Sequence, residues 1–208
     1  MPRSSREKSA ETRANIIETA YQLFLEHGYS AASMRMISQQ AGVTVGAIYN
    51  HLSTKEEIWK EVILTKHPYH EILPLLVSAE GDSVAEAVRS AARVMVQELF
   101  KRPELFNLMF IEIVEFQAKH AADLLQEIFP RLGELQRMFF EKQGKLRNIP
   151  APVLLRSFTG LFMSYYITGI FARNFEGMAT DESTLDQFVD LYLYGILEGS
   201  DTPVESST

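Results

Sequence analysis

The chain has 208 residues, no cysteine, 46% apolar residues, 23% charged residues and a formal net charge of −7. That length suits one domain or two small ones, and the apolar fraction excludes a disordered chain. The missing cysteines exclude a disulfide scaffold, a thiolate metal site and a cysteine nucleophile. The opening stretch MPRSSREKSAETR is basic and polar with no apolar run behind it, so no secretory leader is expected. No stretch of about 18 apolar residues exists to span a membrane, and the expected location is cytoplasmic. The acidic balance, taken whole, argues against a polyanionic partner.

Apolar spacing is helical nearly everywhere, with no period-2 alternation long enough for a strand, and it predicts an all-α chain of about nine helices. In the first helix Ile16, Ile17, Ala20, Leu23 and Phe24 share a face, and Gly28 suits its C-terminal stop. Ser33 can cap a second helix whose inner side is Met34, Ile37 and Ala41 and which stops at Gly42. A third, very short helix follows from about Thr44 to His51, with Ala47, Ile48 and Leu52 on its inner side. Ser53-Thr54-Lys55-Glu56 reads as a capping box for a longer helix, which Pro68 or Pro74 kinks or breaks.

Ser83-Val84-Ala85-Glu86 reads as a second capping box, opening a helix to about Phe100. Pro103 starts another through Phe116, a further one runs from about Ala121 to Gly144, and two more cover about Val153–Phe175 and Thr184–Glu198. The first eight residues and the tail 200–208 are expected to be disordered.

The turn between the second and third helices is only Gly42-Val43. A turn that short sets two helices roughly perpendicular and leaves the third free to enter a DNA major groove. Thr44 places a hydroxyl at a helix N-terminus, which attracts phosphate. Gly46 lets the backbone approach closely, Tyr49 can pack on a sugar or a thymine methyl, and His51 and Lys55 can reach flanking phosphates.

The stretch Thr12–Ile58 carries LF-x-x-x-G-Y at Leu23–Tyr29, I-x-x-x-A-G-V at Ile37–Val43, G-x-I-Y-x-H at Gly46–His51 and S-x-K-E-E at Ser53–Glu57. These linked pieces resemble the DNA-binding domain of the TetR family of bacterial regulators. The resemblance implies an N-terminal three-helix helix-turn-helix domain over 1–55, then a larger helical ligand-binding and dimerisation domain over 56–199. It further implies a ligand-responsive repressor that binds a palindromic double-stranded operator as a homodimer and is released by a small-molecule inducer. DNA contacts by resemblance fall on Ser33, Arg35, Thr44, Val45, Gly46, Tyr49, Asn50, His51 and Lys55. The chain departs from the family at Val45, where Lys is common, at Asn50, where an aromatic is common, and at Leu52, where Phe is common. Val45 can meet a thymine methyl instead of a phosphate.

Beyond residue 60, Ser157, Gly160, Ser164 and Thr168 form a ridge of small residues at helical spacing, with Leu161 beside it. Phe188, Leu191, Tyr192 and Gly195 on the last helix complete a candidate dimer interface. Candidate pocket residues are Phe106, Met109, Phe110, Ile113, Phe116, Phe139, Phe162, Tyr165 and Tyr166, with plain core packing as the alternative for each. Glu112, Glu115 and His120 are the candidate polar contacts for a largely apolar effector; a solvated face is the alternative.

Pro68 disrupts the face that His67 and His70 would share, so no metal is expected, and no motif implies a cofactor. No G-x-S-x-G, H-E-x-x-H or Gly-rich phosphate loop is present, which leaves no catalytic residues to name and argues against an enzyme.

The charge divides unevenly. Residues 1–55 carry six cations against four carboxylates, a charge of +2, and the remainder carries fourteen against twenty-three, a charge of −9. No acidic residue occurs between Glu26 and Glu56. The acidic surplus therefore lies outside the stretch expected to face DNA.

Overall fold

The computed structural model describes residues 5–140, 147–172 and 182–196. Among these lie ten helices and no strand: α1 (Ser5–Ala31), α2 (Met34–Ala41), α3 (Val45–Tyr49), α4 (Lys55–Lys66), α5 (Tyr69–Val77), α6 (Val84–Phe100), α7 (Glu104–Phe116), α8 (Ala121–Phe140), α9 (Ala151–Ala172) and α10 (Glu182–Ile196). None is long and apolar enough to cross a membrane. Helix α1 already starts at Ser5, so residues 5–8, expected to be disordered, are helical. Residues 1–4 and the tail 200–208 lie outside the described residues.

The tenth helix arises from the segment after Ser53, counted as one helix with a kink or break at Pro68 or Pro74, which divides at Pro68. His67 is extended (φ −67°, ψ 125°) because the ring of Pro68 bars a helical residue before it, and the chain restarts as α5. Pro74 sits inside α5 without ending it. The capping box at Ser83 forms as the spacing predicts: its hydroxyl accepts from the Glu86 amide while the Glu86 carboxylate accepts from the Ser83 amide. The box expected at Ser53 is displaced by one residue. Thr54 is the cap, its hydroxyl accepting from the Glu57 amide at 2.9 Å, and the Glu57 carboxylate accepts from the Ser53 amide at 2.7 Å.

Two compact units emerge. The first comprises residues 1–68 and 103–128, so the helix-turn-helix segment is packed together with α4, α7 and the start of α8. Its core joins Ile16, Ala20, Leu23 and Phe24 of α1 to Ile37, Ile48, Leu52, Trp59, Val62 and Leu108. This unit reaches past residue 55 because Trp59 and Val62, fully buried, supply part of the surface that α1 needs to cover. An aromatic group fills its centre: Trp59 stacks on Phe116 at 5.6 Å, and Phe24 meets Trp59 edge-on at 5.4 Å.

The second unit contains α5, α6, α9 and α10. Its core is built from Ile72, Leu76, Val84, Val88, Ala92, Phe158, Phe162, Tyr165, Val189 and Leu193. Arg93 pairs with Asp186 and Arg89 with Asp190, lacing α6 to α10 along successive turns.

Candidate nucleic-acid interface

Helix α2 opens and closes on the residues that the spacing pointed to. Ser33 caps it by accepting from the Met36 amide, and Gly42 ends it in the left-handed region at φ 68°. The Val43 amide then reaches back to the Ser38 carbonyl at 3.0 Å and the Gly42 amide to Gln39, a Schellman closure. The Asn15 side chain donates to the Ala41 carbonyl at 2.9 Å, tying this corner to α1. Thr44 at once caps α3 through the Ala47 amide, so the turn is as short as the sequence implied.

Within α2 and α3, Ile37 and Ile48 are fully buried, which fixes the opposite faces outward. Ser33, Arg35, Thr44, Gly46, Tyr49 and Asn50 are exposed, whereas Val45 and His51 are half-buried. Tyr49 leaves 52% of its surface open although its ring could have joined the core beside Ile48. A side chain at Gly46 would meet only the Thr44 hydroxyl at 3.9 Å, an ordinary contact. The chain's own packing does not require glycine there. These residues are thus open to solvent on α2, α3 and their caps, all within the first compact unit.

Lys55 is oriented differently from the sequence expectation. Its ammonium donates to the carbonyls of Tyr29 and Ala32, each at 2.8 Å, and lies 4.2 Å from the centre of the Tyr29 ring. Gly28 (φ 78°, ψ 162°) interrupts α1 just before these carbonyls, so Lys55 supplies donors to helix-end oxygens. Burial lowers its basicity, with Glu115 opposing that shift. Two of its three N–H bonds are thus used within the chain.

Glu112 and Glu115 of α7 have partners within the first unit. Glu112 is buried and accepts from the Trp59 indole, and Glu115 accepts from the Ser30 hydroxyl through both oxygens at 2.9 Å. His120 is buried beside Glu112. The face that the sequence left open as solvated is therefore a hydrogen-bonded interior at Glu112 and His120. Sequence spacing had no way to reveal the partners, since Trp59 lies 53 residues from Glu112.

The apolar candidates divide. Phe106 is buried, Met109 and Phe116 are half-buried, and Phe110 and Ile113 are exposed, all in the first unit. Phe162, Tyr165 and Tyr166 are buried in the second. Phe139 lies on α8, its side chain outside the described residues.

On α9, Ser157, Gly160, Ser164 and Thr168 are all exposed, and Val153 and Phe171 extend the same stripe at both ends. On α10, Leu191 and Gly195 are exposed with Tyr194 beside them. Leu161, Phe188 and Tyr192 turn inward instead. Phe188 meets Tyr165 edge-on at 5.1 Å, and the Tyr192 hydroxyl donates to the Leu154 carbonyl at 2.9 Å. Burial raises the Tyr192 phenol above its ordinary value. Val153, Phe171 and Tyr194 were missed by a search for small residues. The available signal was that Val153 and Phe171 continue the helical spacing of the stripe at its two ends and that Tyr194 adjoins Gly195.

Residues 16–62 match the family described as bacterial regulatory proteins of the tetR family. The regulator TtgR of Pseudomonas putida is 35% identical over 82 residues, which is 39% of this chain, and the chain spans just 39% of that relative's length. TtgW of the same species, an uncharacterized HTH-type transcriptional regulator, is 36% identical over 125 residues, 60% of this chain and 88% of that protein. The solved structure of NalD from Pseudomonas aeruginosa, at 21% identity, shares the fold with a TM-score of 0.60 over 92% of this chain and 99% of its own. The helix-turn-helix geometry, the motif match and these likenesses agree: the chain belongs to the TetR family of bacterial transcriptional regulators.

Proposed function

We propose that the protein is a homodimeric repressor that binds a palindromic operator in double-stranded DNA through α2 and α3 and leaves it when a small, largely apolar molecule binds. The observation that carries this reading is the solvent exposure of Ser33, Arg35, Thr44, Gly46, Tyr49 and Asn50, in a stretch with no carboxylate from residue 27 to residue 55. Thr44, Ser33 and Arg35 are suited to phosphates, with Lys55 and the half-buried His51 at the margin. Val45 and Tyr49 offer apolar contact to thymine methyls, and Gly46 allows the helix to seat closely.

Dimerisation is assigned to the exposed stripe of α9 with Leu191, Tyr194 and Gly195 of α10, where small residues let a second copy approach closely. The effector is assigned to the second unit, where Phe162, Tyr165 and Tyr166 combine apolar surface with phenol groups. Release then follows as a population shift, limited by the difference in the effector's affinity for the two conformers. NalD is described as the secondary repressor of the MexAB-OprM multidrug efflux pump, and repression is the action assigned here.

The test is selection of duplexes from a random-sequence pool, followed by gel shift at rising salt with the wild type, Tyr49→Ala and Arg35→Ala. The expected result is a palindromic consensus, an affinity that falls steeply with salt, and weaker binding by both variants. Unchanged affinity in both variants refutes the interface. Sedimentation as a monomer at micromolar concentration refutes the dimer.

A further inference from the structure

Glu112 is the buried carboxylate of α7, 6% exposed. Its Oε2 accepts from Trp59 Nε1 at 2.7 Å, and its Oε1 accepts from the His120 amide at 2.7 Å. The His120 ring is 4% exposed and stands edge-on to Phe116 at 4.8 Å. Each ring nitrogen faces a carboxylate: Nδ1 is 3.1 Å from Glu112 Oε2, and Nε2 is 3.3 Å from Glu56 Oε1. The other charged groups of this corner are engaged with each other. Lys119 Nζ donates to the same Glu56 oxygen, and Asp123 of α8 pairs with Lys60 of α4 at 2.9 Å.

A neutral imidazole has one N–H and one lone pair. Either tautomer points that lone pair at a carboxylate oxygen here. Only the imidazolium donates to both. The corner that holds the ring is also specialised. Gln117 and Ala118 both adopt left-handed backbone (φ 53° and 60°) without being glycine, and the Ala118 amide donates to the Glu112 carbonyl at 3.0 Å. Glu112 thus holds this turn through its backbone and its carboxylate together.

The far side of the bridge leads toward DNA. Glu56 is adjacent to Lys55, whose ammonium binds the Tyr29 and Ala32 carbonyls immediately before the α2 cap Ser33. The first turn of α4 is therefore fastened on one side to the α7–α8 corner and on the other to the start of the helix-turn-helix.

We propose that His120 is a proton-dependent positioning residue for the DNA surface: as the imidazolium it clamps Glu56 to Glu112, and loss of its proton frees the first turn of α4 and weakens DNA binding. This rests on the reading of α2 and α3 as the DNA surface. The sign follows from the chemistry. As pH rises and the ring loses its proton, one of its two carboxylate bonds is lost and affinity falls.

Trp59 is the only tryptophan, so the protein has one indole N–H resonance, and that group donates to Glu112. The experiment follows this resonance by NMR between about pH 5 and about pH 9. It also measures affinity for the duplex enriched from the random pool, in the wild type, His120→Gln and Glu56→Gln. The expected results are an indole shift that titrates in the wild type and not in His120→Gln, and a titration displaced to lower pH in Glu56→Gln, which loses a neighbouring negative charge. Duplex affinity in His120→Gln is expected to fall about fivefold or more with an unchanged salt slope, because the phosphate contacts remain. Glu56 lies at the protein surface, so its variant tests the clamp even where His120→Gln folds poorly.

An indole resonance that is flat in all three proteins, or that titrates alike in the wild type and His120→Gln, overturns the clamp. Undiminished duplex affinity in His120→Gln, with its indole titration gone, overturns the positioning role. If the wild type binds no duplex, the DNA reading has failed, and the indole titration still decides whether the clamp exists.

Discussion

Lys55→Met separates a structural lysine from a phosphate-binding one. The substitution keeps the apolar stem and removes the ammonium that donates to two carbonyls at 2.8 Å and sits 4.2 Å from the Tyr29 ring centre. Two hydrogen bonds from a charged donor are worth about 1.5 kcal/mol each at the low end, and a partly exposed cation–π contact adds about 0.5 kcal/mol. The burial that lowers the Lys55 basicity opposes part of this. A net loss of about 2 kcal/mol is expected, well above the change typical of a surface substitution. The assay is urea unfolding followed by the fluorescence of Trp59, which lies in the same compact unit and therefore reports its stability. The slope against urea should stay constant while the midpoint falls. A variant as stable as the wild type within about 0.5 kcal/mol, yet without DNA affinity, would show that the ammonium serves phosphate alone and that its carbonyl contacts carry no energy.

Three further outcomes are expected. Gly42→Ala should destabilise the first unit by about 1 kcal/mol, since φ 68° is costly for alanine while no neighbouring atom lies within 4 Å of the added carbon; unfolding monitored by Trp59 reads it. Leu191→Asp, at a position 70% exposed, should leave the helical circular dichroism intact and convert the protein to monomers in sedimentation at micromolar concentration. Glu98 is held below its ordinary value first by Lys101 and then by Arg102. Its contribution is therefore present at neutral pH and is lost as pH falls through the depressed value. Glu98→Gln should accordingly cost about 1–3 kcal/mol at about pH 7, and the difference from wild type should vanish in acid when urea midpoints are compared.

What the sequence disclosed were local devices. The Ser33 cap, the left-handed stop at Gly42, the Thr44 cap and the Ser83 box each depend on residues within one or two turns, so spacing alone locates them. The small-residue stripe of α9 was legible for the same reason. The placement of Lys55, Glu112 and His120 was not legible. Their partners lie 23, 53 and 64 residues away, and only the tertiary packing of α7 against α1 and α4 brings them together. The Ser53 box moved to Thr54 for a subtler reason. Both positions offer a hydroxyl with a glutamate three residues on, so local spacing does not choose between them, and the helix begins at Lys55 with Thr54 as its cap. Phe188 and Tyr192 show the same limit on α10, where they pack inward while Leu191, Tyr194 and Gly195 are exposed.

On the proposed reading of α2 and α3 as the DNA surface, the size of α3 is the reason a second copy is needed. Five helical residues at about 1.5 Å each span about 7.5 Å, room for two or three base pairs at about 3.4 Å apiece. With a charge of only +2 over residues 1–55, non-specific attraction to phosphate adds little, and the −9 on the remainder works against approach by that side. A single half-site is then a weak ligand. Two half-sites held at a fixed separation combine their binding energies, and a conformer with the wrong separation keeps only one of them.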